Sequence, residues 1–282
     1  MSQINFIKMQ GTGNDFIMVN GYNYSFNNLS DIVKRVCNRH FGIGGDGLIL
    51  LLPPEDIKND YKMRIFNSNG SEAEMCGNGI RCIAHFIIEN DINNKKSYKI
   101  ETLAGLITPE IIEYNKRKSM VKVNMGIPVF DSENIPININ EPKEYIENYK
   151  LEINDNIYKI NCVSMGNPHS IIFVDNIRMY NLKEIGPLIE NNPIFPEKTN
   201  VEFIEIINKN EIKMKVWERG VGITLACGTG ATASVVAGIK NNLLNDNVLV
   251  HLPGGDLQIE WNGGSAFMTG PAETIFKGSI NL

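Results

Sequence analysis

Two segments of this 282-residue chain repeat each other, and this internal similarity constrains the fold more than any other feature. Residues 62–79 (KMRIFNSNGSEAEMCGNG) align without a gap with residues 213–230 (KMKVWERGVGITLACGTG), 151 positions later. Upstream, residues 13–20 (GNDFIMVN) match residues 166–173 (GNPHSIIF), 153 positions later. The alternative is convergent turn chemistry in a glycine-rich α/β protein. Two matches in the same order at nearly the same offset favour a duplicated unit instead.

The pattern within each copy predicts one small α/β unit. Alternating apolar residues predict strands at Tyr61–Phe66, Lys99–Thr102, Val121–Asn124 and Lys213–Trp217. Apolar runs with few breakers predict helices over 80–88 and 231–239, ended by Asn90-Asp91 and Asn241-Asn242. Residues 131–148 are interpreted as a surface excursion, and residues 270–276 as a turn and closing strand. The predicted domains are 1–118 with the final strand 272–282, and 119–271, with polar Lys116–Ser119 as the crossing.

Composition and charge exclude several classes of protein. The net charge is −5 and the longest basic run, Lys116–Lys118, is short, so we expect a solvated turn there and no nucleic-acid partner. No run approaches the ~20 apolar residues of a membrane span, and Met1–Phe6 lacks the features of a signal peptide. Five cysteines without CxxC spacing argue against a disulfide framework and a zinc site, although Cys37-x-x-His40 is a possible half-site. We therefore expect a reduced, cytoplasmic protein without a metal.

Two of the cysteines have a special position. Cys76 and Cys227 each stand just before glycines that open a predicted helix. A helix N-terminus carries about half a positive charge and several N–H groups without intrahelical partners, so it lowers a thiol pKa and binds carboxylates. The other three cysteines, Cys37, Cys82 and Cys162, are interpreted as small buried hydrophobic residues.

A duplicated pair of thiols around a carboxylate-binding cleft indicates a particular reaction. Inverting an amino-acid α-carbon removes a proton from one face and returns one to the other, which takes two similar acid–base groups. A pyridoxal cofactor would normally stabilise the carbanion, but no convincing pyridoxal-lysine context is present. A closed cleft and helix-start amides would then have to stabilise the transition state, and no cofactor is expected.

Eight strings along almost the whole chain carry a resemblance to a known family. They are residues 9–16 (MQGTGNDF), 42–47 (GIGGDG), 64–67 (RIFN), 75–82 (MCGNGIRC), 165–169 (MGNPH), 199–203 (TNVEF), 217–220 (WERG) and 226–230 (ACGTG). Together they resemble the diaminopimelate epimerases, cytoplasmic enzymes of lysine and peptidoglycan-precursor biosynthesis that interconvert LL- and meso-diaminopimelate. The resemblance implies an α/β (α+β) fold of two duplicated, pseudo-twofold-related domains. Each would be a curved, mostly antiparallel sheet around a central helix, with the active site in the cleft between them.

The resemblance also implies roles for individual residues. Cys76 and Cys227 would form the thiol and thiolate pair, with Cys227 as proton acceptor and Cys76 as donor in the direction commonly written and the roles exchanged in the reverse direction. Glu218 with His169 would tune the two thiols. The reacting α-carboxylate would be held by Gly77, Asn78, Gly228 and Thr229, and the reacting ammonium by Glu218 and the Arg219 backbone. The distal centre would be held by Asn14, Asn67, Asn167, Asn200 and the Arg219 side chain. Phe276 would lie at the contact of a homodimer.

Purely structural roles for these residues remain open on the sequence alone. Asn14 and Asn167 could serve only a left-handed turn, His169 could be an ordinary strand-end residue, and Phe276 could belong to the core. Glu218 and Arg219 could form an exposed surface pair.

Two positions depart from the family pattern, and three other functions remain as alternatives. Gly47 stands where some members have Gln, and Ile223 where the family often has Glu. Proline racemases and hydroxyproline epimerases resemble the chain in their paired cysteines, but they tend to carry His at the place of Asn78 and lack the ERG string. An amino-acid-binding protein and a cysteine hydrolase are more distant alternatives, because neither requires a second activated thiol.

Overall fold

The computed structural model describes residues 3–24, 26, 28–90, 92 and 95–281. Met1, Ser2 and Leu282 of the predicted domains, and Asp91 of the predicted helix end, lie outside the described residues. The chain divides by its contacts into two compact units, one of Met1–Asn124 with Thr269–Leu282 and one of Met125–Met268. The described residues form a mixed α and β structure with many strands and four α-helices.

Among the described residues, the first unit contains two α-helices, eight complete strands and most of a ninth. Its helices are α1 (Leu29–Cys37) and α2 (Gly77–Glu89), with a 3-10 turn at Gly21–Asn23. Its strands are β1 (Gln3–Gly11), β2 (Asn14–Asn20), β3 (Gly47–Leu52), β4 (Tyr61–Asn67), β5 (Glu72–Ala73), β6 (Ile100–Thr102), β7 (Gly105–Ile107), β8 (Glu110–Asn115) and β9 (Lys118–Gly126, whose last two residues fall in the second unit).

The second unit has the other two α-helices. They are α3 (Leu182–Glu190) and α4 (Gly228–Lys240), with a 3-10 turn at Ile177–Met179. Its strands are β10 (Ile146–Ile153), β11 (Asn156–Ser164), β12 (Pro168–Val174), β13 (Asn200–Asn208), β14 (Glu211–Glu218), β15 (Gly222–Thr224), β16 (Asn247–Leu252) and β17 (Gly255–Glu260). The last strand, β18 (Ala266–Asn281), starts in this unit and returns to pair with β1 of the first.

Strand pairing is the same in the two units. In the first, β1–β2, β3–β4, β4–β5 and β6–β7 are antiparallel, while β2–β3 and β4–β6 are parallel. In the second, β11–β12, β13–β14, β14–β15 and β16–β17 are antiparallel, while β12–β13 and β14–β16 are parallel. The sheets are therefore mixed with a majority of antiparallel pairs, and each helix with a CGxG start occupies the same place in the order.

The helices α2 and α4 form the interior of their units. Helix α2 packs against β1, β2, β3 and β8, and α4 against β11, β12, β13 and β17. Ile80, Ile83 and Ile87 of α2 are fully buried, and burial of such side chains contributes about 1.5–3 kcal/mol each to folding. Helix α4 instead uses small residues, among them Ala233 and Ala237, which permit close approach to the sheet. Within the described ranges, no helix combines the length and the apolar character needed to cross a bilayer.

The predicted elements are present, with three differences. Both helices begin three residues earlier than predicted, at Gly77 and Gly228, because each cysteine is itself the N-cap. Lys116 and Arg117 form the exposed turn of the β8–β9 hairpin, Lys118 and the buried Ser119 already belong to β9, and the contact-based division falls later than the predicted crossing, after Asn124. The strand pairing of β9 with β8 and β18 holds these residues in the first unit.

The segment 131–148 is more than a surface excursion. Ile135 and Ile137 are buried in the core of the second unit together with Ile146, which already belongs to β10. Burial of these isoleucines holds the segment against the core, although most of its other residues are polar.

Candidate active site

Cys76 lies at the start of α2, in contact with Asn14, the first residue of β2. Its backbone is extended (φ −145°, ψ 123°), so it caps the helix that begins at Gly77. The Sγ atom lies 3.6 Å from Asn14 Oδ1, and Asn78 Nδ2 lies 3.5 Å from the same oxygen. The structure thus brings four of the predicted residues of the first unit together: Asn14, Cys76, Gly77 and Asn78.

A buried arginine orders this helix start. Arg81 is fully buried, and its Nη2 donates to Asn78 Oδ1 at 2.9 Å and to Thr12 Oγ1 at 3.0 Å. Its other donors reach the carbonyl oxygens of Gly77 and Pro271, both at 3.1 Å. Burial lowers the pKa of Arg81 to about 10, which leaves the guanidinium charged at neutral pH. The Asn78 side chain therefore has a fixed orientation beside Cys76.

Asn67 belongs to a different hydrogen-bond network in the first unit. It ends β4, is exposed, and its Nδ2 donates to Ser71 Oγ at 3.0 Å. The hydrogen bond of the Asn67 side chain to Ser71 therefore does not connect it to Cys76, and its predicted contact with a substrate stays a prediction.

Cys227 occupies the equivalent position at the start of α4, but it is buried, with an exposure of 6%. The Gly230 N–H donates to its Sγ at 3.4 Å, and Thr229 Oγ1 lies 3.4 Å from the same sulfur. Burial, followed by the carboxylates of Glu218 and Glu202, raises the pKa of Cys227 well above 9. The expectation that a helix start lowers the thiol pKa is therefore wrong for Cys227 in this structure, because removal from water and two neighbouring acids outweigh the helix end.

Hydrogen bonds that become fully buried at His169 and Glu202 connect Cys227 to the sheet. Thr229 Oγ1 accepts from Asn167 Nδ2 at 3.4 Å, and Asn167 Oδ1 lies 3.0 Å from His169 Nε2. The other ring nitrogen, Nδ1, lies 2.7 Å from Glu202 Oε1. His169 is therefore a fully hydrogen-bonded residue of the site and not an ordinary strand-end histidine.

The segment Glu218–Arg219 is anchored to the same network from the end of β14. The Arg219 N–H donates to Asn200 Oδ1 at 2.9 Å, and Asn200 Nδ2 donates to the Pro168 carbonyl at 2.8 Å. The Glu218 carboxylate accepts from the Thr224 hydroxyl, and burial raises its pKa. These residues are half-buried rather than an exposed surface pair, although the Arg219 side chain reaches outward to the Glu197 carbonyl at 3.0 Å.

Glu190, at the end of α3, holds the loop that follows Glu218. Its Oε2 accepts from Trp217 Nε1 at 2.6 Å and its Oε1 from the Gly220 N–H at 2.8 Å. Glu190 is not among the predicted site residues, because no local sequence pattern distinguishes it from other helical glutamates. Arg81 and Glu202 were also assigned no role, although both lie inside strings that match the family.

The remaining predicted positions have simpler surroundings. The left-handed turn residues are Thr12, Gly13 and Gly166, so Asn14 and Asn167 are not present for turn geometry. Gly47 is packed so closely that an added Cβ would lie 2.4 Å from the Phe66 carbonyl oxygen, and Ile223 is exposed on β15.

The other three cysteines are buried, as predicted. Burial raises the pKa of Cys37 to about 11 and that of Cys82 to about 12, and it also raises the pKa of Cys162. His40 is exposed, and among the described residues no group of three His, Cys, Asp or Glu side chains could hold a metal ion.

Comparison with known proteins gives a consistent result over the whole chain. A family model described as "Diaminopimelate epimerase" matches residues 6–130 and 161–275. The diaminopimelate epimerase of Halothermothrix orenii is 60% identical over 278 residues, covering 99% of this chain and 98% of that protein. That of Carboxydothermus hydrogenoformans is 52% identical over 281 residues, covering 98% and 99%.

Solved structures with low sequence identity share the fold. A Bacillus anthracis protein of the phenazine-biosynthesis PhzF family superimposes with a TM-score of 0.72 at 16% identity, over the full length of both chains. A hydroxyproline epimerase from Agrobacterium vitis gives 0.70 at 13% identity, over 99% of this chain and 92% of that one. From the family match and the relatives together, the chain belongs to the diaminopimelate epimerase family.

Proposed function

We propose that the protein interconverts LL-2,6-diaminopimelate and meso-diaminopimelate without a cofactor, using Cys76 and Cys227 as its two acid–base groups. The observation that carries the proposal is that these two thiols cap equivalent helices of two units with the same strand pairing. Both lie inside the segments that match the family. Its 60%-identical relative is named a diaminopimelate epimerase, which supports the substrate.

The proposed reaction is a pair of proton transfers on opposite faces of one α-carbon. The thiolate of one cysteine takes the α-proton and becomes a thiol, while the thiol of the other cysteine gives a proton to the opposite face and becomes a thiolate. No atom is gained or lost, and the reverse reaction uses the same groups in exchanged roles. The raised pKa of Cys227 favours its thiol form in the resting enzyme and hence the donor role there, the reverse of the acceptor role that the resemblance implies.

The two helix starts would stabilise the negative charge that develops on the substrate. The first N–H groups of a helix have no intrahelical acceptors, and those of Gly77, Asn78, Gly228 and Thr229 lie directly after the two thiols. Amides held in this way bind a carboxylate and stabilise the enolate-like transition state without reorganising. The half-buried Glu218 carboxylate and the Arg219 carbonyl would accept hydrogen bonds from the reacting ammonium.

The polar residues around the thiols would select the substrate through its distal centre. Asn14, Asn67, Asn167, Asn200 and the Arg219 guanidinium are assigned to this second amino-acid head. An analogue without the distal carboxylate or ammonium would leave such groups unpaired, which lowers kcat/KM strongly. We therefore expect lysine and proline to be very poor substrates.

The wider setting is also part of the proposal. We place the enzyme in the cytoplasm, in lysine and peptidoglycan-precursor biosynthesis, independent of pyridoxal phosphate. We propose a homodimer with Phe276 at the contact, because this ring is 46% exposed. Phe276 also packs against Phe6 in a T-shaped arrangement, with the ring centroids 5.9 Å apart. The two compact units into which the chain divides would be the two epimerase halves, each supplying one thiol.

Incubation with LL-diaminopimelate in D₂O tests the reaction directly. Deuterium should enter one α-carbon, preferentially in the inverted product, because the donor thiol has exchanged with solvent. Cys76→Ala and Cys227→Ala should each fall below about a hundredth of wild-type kcat in both directions. Cys82→Ala, which removes a buried thiol from the same helix as Cys76, is the matched control and should stay active.

Three outcomes would contradict the proposal. Substantial activity in either active-site alanine variant would exclude the two-base mechanism. Efficient inversion of proline would indicate the second candidate, a proline racemase or hydroxyproline epimerase, which the shared fold with the Agrobacterium vitis enzyme keeps in view. Binding of diaminopimelate without any exchange would indicate a binding protein.

A further inference from the structure

The hydrogen bonds behind Cys227 form one directional chain. The Asn167 amide donates through Nδ2 to Thr229 Oγ1, which lies 3.4 Å from Cys227 Sγ; since a thiolate carries no hydrogen, the Thr229 hydroxyl is the donor in this contact whenever Cys227 is ionised. The same orientation of the amide turns Asn167 Oδ1 toward His169, where it accepts from Nε2 at 3.0 Å. The ring must therefore carry a proton on Nε2 for the chain to end in a donor aimed at the sulfur.

Glu202 decides whether that proton is present. It contacts the other ring nitrogen at 2.7 Å, and both side chains are completely excluded from solvent. Burial favours the state in which this pair has no net charge, and that state holds one proton between Glu202 and Nδ1 and a second on Nε2. Loss of a proton would leave a buried net charge, and Nε2 would become an acceptor. Asn167 would then turn over, and the Thr229 hydroxyl would donate away from the sulfur.

The first unit shows that the fold itself does not need this pair. Strand pairing makes Phe16 the counterpart of His169, because Phe16 is opposite Gly47 as His169 is opposite Asn200. Two residues further on, Ile49 is the counterpart of Glu202. Gly79 and Gly230 confirm this: an added Cβ would meet Ile49 Cδ1 at 3.0 Å in the first unit and Glu202 Oε1 at 2.6 Å in the second.

The burial of Glu202 is unfavourable unless it serves the site. Its Oε2 has no hydrogen-bond partner among the described residues, although the atom is buried. Its titratable neighbours are His169 on β12, Glu218 on β14, Cys162 on β11 and Cys227 at the start of α4. None is a cation apart from a protonated His169. An aliphatic side chain, as in the first unit, would avoid this cost.

We propose that Glu202 is a positioning residue: by sharing a proton with His169 it fixes the Nε2–H tautomer and so aims the Thr229 hydroxyl at Cys227. This inference rests on the proposed function, in which the Cys227 thiolate must form during turnover. A donated hydrogen bond stabilises that thiolate against the two neighbouring carboxyl groups. Glu202 acts only through His169 and does not contact the substrate.

Two substitutions of Glu202 separate this role from a simple role of its charge. In Glu202→Gln the amide N–H₂ donates to Nδ1 and takes the place of the shared proton, so kcat should stay within about threefold of wild type. In Glu202→Leu the donor is absent, and kcat should fall about ten- to hundredfold, as for loss of a hydrogen bond to a charged group. KM should change much less than kcat in both. Ser170→Ala, which removes another buried unpartnered oxygen from β12, is the control and should leave kcat unchanged.

Two readouts do not depend on turnover. Alkylation of Cys227 by iodoacetamide, measured relative to Cys76 in the same molecule by peptide mass spectrometry, should be at least about fivefold slower in Glu202→Leu than in Glu202→Gln, because both substitutions remove the carboxylate and only leucine removes the donor to His169. The ¹H–¹⁵N spectrum should show His169 protonated on Nε2 in wild type and Glu202→Gln. The double variant His169→Phe with Glu202→Ile copies the pair of the first unit, and it should melt at or above the wild-type temperature while losing activity.

The outcomes are distinguishable from failure of the proposed function. If wild type does not epimerise diaminopimelate, the proposed function is wrong, and alkylation and NMR still decide the role of Glu202. If wild type is active but kcat falls as far in Glu202→Gln as in Glu202→Leu, a proton shared with His169 does not explain the role of Glu202. Turnover would then require the negative charge of its carboxylate. Unchanged kcat and alkylation in Glu202→Leu, or unfolding of the double variant, would assign the pair to structure alone.

Discussion

Gly230 lies directly against Glu202, and the gap between them is too small for any side chain. A Cβ added to Gly230 would be 2.6 Å from Glu202 Oε1 and 3.0 Å from Met214 Cε. The absence of a side chain therefore allows the first turn of α4 to lie close against Glu202 and Met214 of the sheet, at the residue whose N–H caps Cys227 Sγ. At the equivalent Gly79 of α2, the nearest atoms are instead two isoleucine methyl groups at 3.0 Å.

This difference predicts unequal effects of one methyl group at the two helix starts. Gly230→Ala should push the Glu202 carboxylate away from His169, lowering kcat at least about tenfold and destabilising the protein by about 1–3 kcal/mol. Gly79→Ala crowds only flexible aliphatic ends and should have the smaller effect on kcat. Urea unfolding and steady-state kinetics of the two variants check this, and equal losses of kcat would contradict the asymmetry.

Glu190 should control the position of Glu218 and Arg219 without contacting a substrate. Glu190→Leu removes the acceptors of Trp217 Nε1 and the Gly220 N–H and should destabilise the protein by about 2–3 kcal/mol. It should also raise KM several-fold, because the loop that carries Arg219 is released and the Arg219 side chain is assigned to the distal centre of the substrate. Glu190→Gln keeps one carbonyl acceptor and should lie between Glu190→Leu and wild type.

Glu184→Gln provides the control for this experiment, because Glu184 is exposed in the first turn of the same helix. It should change neither the midpoint of thermal unfolding nor KM. A normal KM in Glu190→Leu would show that the loop keeps its position without this carboxylate.

Arg81 should contribute more to stability than its counterpart in the second unit. Arg81→Met leaves the Asn78, Thr12, Gly77 and Pro271 oxygens without this donor in a buried region, and we expect a loss of about 3 kcal/mol or more. The equivalent position in α4 is Thr232, whose hydroxyl donates to the Gly228 carbonyl at 2.9 Å, so Thr232→Val should lose about 1 kcal/mol. Chemical denaturation of both variants measures the difference, and similar losses would contradict it.

The repeated CGxG strings were sufficient to predict two thiols at two equivalent helix starts. Such a prediction depends only on local sequence, because glycines after a cysteine and an apolar run fix both the cap and the helix. The family strings likewise include Asn167, His169 and Thr229, which the structure links by hydrogen bonds to Cys227, because these strings lie at the start of β12 and in the first turn of α4.

Contacts that depend on strand register could not be predicted in this way. The contact of Glu202 with His169 arises because β12 and β13 are parallel neighbours, although a 3-10 turn and α3 separate them in sequence. The raised pKa of Cys227 has the same origin, since Glu218 comes from β14 and burial from the packing of α4. An argument from the helix end alone therefore gave the wrong direction for this thiol.

The order in which the thiols react should follow from burial and charge. Cys76 is half-buried, while Cys227 is buried and its pKa is raised by burial and by the Glu218 and Glu202 carboxylates. Because only the thiolate is alkylated, the rate at Cys227 should be slow at neutral pH and should still be rising at about pH 9. Glu218→Gln removes a neighbouring negative charge, which lowers the pKa of Cys227 and should raise its alkylation rate at about pH 8 by at least about threefold. Fully buried Cys82 should stay unmodified throughout and report on local unfolding. A slower rate at Cys227 in Glu218→Gln would show that this carboxylate assists the thiolate instead of opposing it.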